Sequence, residues 1–112
     1  MGLAGIFNVP GTPNEFASWA TDHAAHHHDV DRRILETKQI QIPQFVLDPI
    51  NPIDLGVWIY QHQALHTAEN AALSLSGFDL TDVDWRDKGQ FSGWIFLNAV
   101  EHRAFSNALG GI

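Results

Sequence analysis

The sequence predicts an all-α fold, a three-helix bundle with an extended arm between helices 1 and 2. Two observations carry that expectation. The first is a pattern that recurs three times, anchored at Trp19, Trp58 and Trp94. Four residues after each anchor stands His23, His62 or Asn98, and eight after stands His27, His66 or His102. Phe16, Leu55 and Phe91 precede the anchors by three, and Ile34, Leu73 and Leu109 follow by fifteen. At about 100° per residue these offsets share one sector of roughly 80°, so each copy is a helical stripe, apolar at its ends and rich in imidazole at its centre.

The second observation is start and stop chemistry in register with the stripe. Thr12, Asn51 and Asp87 are N-cap types, each followed three residues on by Glu15, Asp54 or Gln90 as reciprocal partner. Pro13 and Pro52 come directly after the first two caps, where a missing N–H does no harm. Gly77 and Gly110 lie where terminating glycines belong. In chain order, then, residues 1–11 form a lead with Ile6, Phe7 and Val9 as anchors, and helix 1 covers 13–36. Residues 37–50 form the arm, in which Gln39-Ile40-Gln41-Ile42 alternates with period two before Pro43 interrupts it. Helix 2 covers 52–75. A shorter connection carries Phe78, Leu80, Val83 and Trp85, spaced to tuck against the bundle, and helix 3 covers 87–109. Helix direction stays open, because the polar positions straddle each helix midpoint and meet at one level either way.

Composition narrows the function classes. The chain has 112 residues, enough for one domain with a modest core. A hydrophobic content of 45% argues for a folded protein. A net charge of −7 with only six Lys and Arg argues against a nucleic-acid partner, which needs a clustered basic surface. No apolar run is long enough to span a membrane, and residues 1–9 do not read as a signal peptide. The absence of cysteine removes disulfides, thiolate metal sites and thiol catalysis. Synthesis in the cytoplasm fits these features.

His23, His27, His62, His66 and His102, with Asn98, are therefore expected midway along the core. Unpaired polar groups there would cost on the order of 1–3 kcal/mol each. One outcome is a hydrogen-bonded structural layer completed by Asn98, Thr67 and buried water. Another is a metal site: His-x-x-x-His occurs at His23/His27 and His62/His66, His102 adds an imidazole, and Glu69 or Glu101 offers a carboxylate. Zinc or iron suits such nitrogen-rich ligation. A third is a partner-facing or pH-sensitive surface. Likeness to hemerythrin-like metal bundles is limited, since the chain has no His-x-x-x-Glu to supply carboxylates that bridge two irons. His26 and His28 fall at the edge of the stripe or off it and are read as bystanders, with Asp29 and Asp31 solvated. The chain has no nucleophile elbow, phosphate loop or His-Glu-x-x-His, so no enzyme is expected.

One stretch adds a resemblance. The run from Trp58-Ile59-Tyr60-Gln61-His62 through His66-Thr67-Ala68-Glu69-Asn70, then Gly77-Phe78-Asp79-Leu80 and Trp94-Ile95-Phe96-Leu97-Asn98, resembles small structural-region proteins of tailed bacteriophages. The resemblance implies a virion component, a decoration, head–tail or tail accessory subunit, and carries no site residue with it. The leading expectation is thus a non-enzymatic structural or adaptor subunit of an oligomeric assembly. The arm (Gln39 to Leu47) and the N-terminal lead would contact its protein partners, without a cofactor. The alternative is a His-rich metal-binding bundle.

Overall fold

A computed structural model describes residues 13–43, 55–84 and 87–111. Among these residues there are three helices: α1 (Pro13–Lys38), α2 (Leu55–Ala72) and α3 (Lys88–Ala108). No strand occurs among the described residues, so the bundle is all-α as the periodicity predicts. Residues 39–43 follow α1 without regular structure, and Ile42 alone among them is buried. The remainder of the arm, the N-terminal lead and the first two predicted caps, Thr12 and Asn51, lie outside the described residues.

Asp87 caps α3 as expected, its carboxylate accepting from the N–H groups of Gly89 and Gln90. The Gln90 side chain reaches back to Asp87 Oδ2 at 3.4 Å and also accepts from Asp84 N at 3.0 Å. Gly110, at φ 79°, supplies the left-handed turn after α3, where Gly111 N bonds Ser106 O at 2.7 Å. At α2 the expectation of a stop at Gly77 is corrected. The helix ends at Ala72, and Ser74 takes the left-handed conformation (φ 56°) while Leu75 N bonds Asn70 O at 2.8 Å. Gly77 serves close approach instead. A Cβ there would overlap Asn70 Nδ2 and lie 2.6 Å from Glu101 Oε1.

The three anchors resolve the helix direction. Trp19 lies 5.6 Å from Trp58 and 5.7 Å from Trp94 between ring centroids, and Trp58 lies 6.0 Å from Trp94. Equal offsets meet at equal levels only if all three helices run parallel. Above the tryptophan layer come His23, His62 and Asn98, then His27, His66 and His102. Ile34, Leu73 and Leu109 close the far end, all three buried. The chain between α2 and α3 must therefore travel back along the bundle. Residues 75–84 do so beside α2 and α3. Phe78 N faces Glu101 Oε2, Leu80 N donates to Gln63 Oε1 at 2.7 Å, and Trp94 Nε1 donates to Leu80 O at 2.6 Å. Leu80 is buried and Val83 packs on the core as expected, whereas Phe78 stays 45% exposed and Trp85 lies outside the described residues.

Candidate metal centre

Helix periodicity places His23 and His27 on one turn of α1, His62 and His66 on one turn of α2, and His102 on α3. Because the helices are parallel, all five rings point at the same axis, and all are at most 1% exposed. One nitrogen from each ring lies within 4.8 Å of one from every other. The closest approaches are all between Nε2 atoms. His23 Nε2 is 3.0 Å from those of His27, His62 and His102, and His66 Nε2 is 3.1 Å from that of His102.

Hydrogen bonding cannot satisfy this arrangement. A neutral imidazole nitrogen carries either one proton or one lone pair, so His23 Nε2 can complete only one of its three close approaches. The remaining contacts set like against like, lone pair on lone pair or N–H on N–H. A shared cation removes the conflict. With metal–nitrogen distances of about 2.1 Å, neighbours at right angles stand ~3.0 Å apart and neighbours in a tetrahedron ~3.4 Å. The observed 3.0–3.1 Å separations match the right-angled case.

The opposite ring nitrogens face outward. His27 Nδ1 pairs with Glu69, 3.1 Å from Oε2 and 2.9 Å from Oε1. His66 Nδ1 approaches Glu101 Oε1 at a longer 3.4 Å. Glu101 is held in turn by Asn70 Nδ2 at 2.6 Å. Carboxylates in this position fix the tautomer that leaves the Nε2 lone pair free to ligate. Glu101 also brings negative charge beside a site that a buried dication would otherwise occupy at great cost.

Burial sets the proton affinities. Desolvation lowers all five imidazoles, and the neighbouring rings lower His23, His27, His62 and His102 further. The cluster is therefore neutral at pH 7, the state a metal requires. Burial also raises Glu69 to about 8, and Asp31, which faces it, to about 9. Burial pushes Glu101 upward too, but His66, Asn70 and the Phe78 N–H outweigh it and bring the group below its ordinary value.

All five histidines named from the sequence come together here, and Asn98 joins them, 0% exposed. Two expectations need correction. Asp31 is not simply solvated: it is half-buried against Glu69, one turn beyond His27. His26 is not a pure bystander either, since its half-buried ring stands 4.9 Å from that of His102. His28 is exposed. Offset +11 from each Trp, outside the predicted pattern, also falls about 20° from the anchor and so inside the stripe. It holds Val30, Glu69 and Phe105, all at most 1% exposed. No protein-family model, curated protein or solved structure matches the chain.

Proposed function

We propose that this protein binds one first-row transition-metal dication through the Nε2 atoms of His23, His27, His62, His66 and His102. The observation that supports this most is the triple approach to His23 Nε2 at 3.0 Å, which hydrogen bonds cannot satisfy. Of the two metals the sequence suggests, iron(II) suits the centre better than zinc. Structural zinc sites take four ligands in a tetrahedron, whereas five nitrogens with four pairs 3.0–3.1 Å apart suit a five- or six-coordinate ion.

Elemental analysis of untagged protein tests the reading, with one metal per chain expected. Loading with Co²⁺ reports the geometry. A five- or six-coordinate ion absorbs weakly in the visible and a tetrahedral one strongly. Failure of Fe²⁺, Co²⁺ and Zn²⁺ all to bind the folded protein would remove the proposal.

A second reading, the assembly subunit of a virion, concerns partners and is compatible with a metal centre. It is favoured by Val57, Tyr60, Phe96 and Val100, apolar side chains left 39–71% exposed on α2 and α3. Such surface suits contact with other proteins. Light scattering that finds only monomer, and particles that lack the chain, would count against it.

A further inference from the structure

The two polar layers contain six equivalent positions, offsets +4 and +8 on three parallel helices. Two stacked triangles of donors make the corners of an octahedron, a geometry open to first-row dications. Five corners carry imidazole. The sixth carries Asn98, whose side chain is shorter than that of histidine by about one bond length.

Asn98 is unusual in its own right. Its side chain is 0% exposed, and neither Oδ1 nor Nδ2 has a hydrogen-bond partner among the described residues. It interacts with His23 and His62, raising the proton affinity of both, yet reaches hydrogen-bond geometry with neither. A buried amide with two unmet donors and an unmet acceptor costs free energy unless something small meets it. The equivalent histidine, by contrast, would have filled the corner.

We infer that the corner at Asn98 is a ligand-binding position, where the metal takes an exogenous ligand of one or two non-hydrogen atoms, hydrogen-bonded by the Asn98 amide. This rests on the metal reading above. The ligand class follows from the enclosure: the surrounding rings are at most 1% exposed, which favours a ligand as small as water, hydroxide or a diatomic molecule. The amide offers both donor and acceptor, so it serves a bound water or the polar end of a diatomic equally.

Nitric oxide added to Fe²⁺-loaded protein under anaerobic conditions is the probe, read by electron paramagnetic resonance and visible absorption. Wild type is expected to take up one nitric oxide per iron. Asn98→His is expected to keep one iron per chain while nitric oxide binding falls at least about tenfold. Asn98→Leu leaves the corner open but removes the amide, so nitric oxide should still bind and dissociate several-fold faster. That variant carries the test if Asn98→His does not fold. Iron-loaded wild type that ignores nitric oxide, or an Asn98→His protein that binds it unchanged, would overturn the inference and leave the metal reading standing. Protein that holds no iron at all would overturn both.

Discussion

Acid should unfold the metal-free protein steeply, and the size of the effect follows from the buried rings. The fold lowers the proton affinity of His23, His27, His62, His66 and His102 below the ordinary 6.5. The unfolded chain therefore binds protons that the folded chain refuses. Stability from these groups is complete above pH 6.5 and drains away as pH falls below it. For a ring that stays neutral in the fold, lowering pH from 7.0 to 5.5 removes about 1.3 kcal/mol, so the four held well below 6.5 (His23, His27, His62 and His102) remove about 5. Asp31 and Glu69 act in the opposite sense. Their affinities are raised to about 9 and about 8, so the fold holds protons that the unfolded chain releases until pH nears the ordinary values of 3.8 and 4.5. Asp31 is partly solvated and the two carboxyls face each other, so we count one net proton for the pair. That returns about 2 kcal/mol over the same window. The net loss is about 3 kcal/mol, a large share of the 5–15 kcal/mol typical of a domain. Urea unfolding of chelator-treated protein at pH 7.0, 6.5, 6.0 and 5.5, followed by far-ultraviolet circular dichroism, measures it. A change below about 1 kcal/mol would mean that the rings are protonated in the fold, and the picture of a neutral cluster would be wrong.

Other outcomes follow from the partners of the rings. Glu69→Gln keeps the shape but weakens the acceptor of His27 Nδ1, and should lower metal affinity about 10- to 100-fold in chelator competition. His26→Gln should slow metal uptake by folded protein without changing stoichiometry, as His26 is the half-buried imidazole beside His102. Equal stopped-flow rates would assign loading to another route. Gly77→Ala should cost about 1–3 kcal/mol in urea, because the methyl displaces the bond from Asn70 to Glu101. A stability equal to wild type would show that the segment shifts freely.

Much of this centre was legible before any coordinates, and the limits have physical causes. Trp19, His23 and His27 share a face because a helix turns by a fixed angle, so their convergence with the matching residues of α2 and α3 was readable. Direction was not. The polar positions lie near each helix midpoint, and reversing a helix leaves them at the same level. The tryptophans, far from the midpoint, are what distinguish the two arrangements, and only their contacts reveal it. Glu69 stands out in the sequence as a carboxylate candidate, and the same angular arithmetic puts it inside the stripe at offset +11. The stop of α2 was misread because Ser74 takes the left-handed turn usually given to glycine, while Gly77 serves the bond between Asn70 and Glu101.

The parallel arrangement has a kinetic consequence. Neighbours in an up-and-down bundle meet through short hairpins, but here the ring contacts join residues 36, 39 and 79 apart. Folding must close those long loops before the rings meet, which is slow for a helical protein of this size. An ion that ligates all three segments would then act as a late clasp, retarding unfolding far more than it hastens folding.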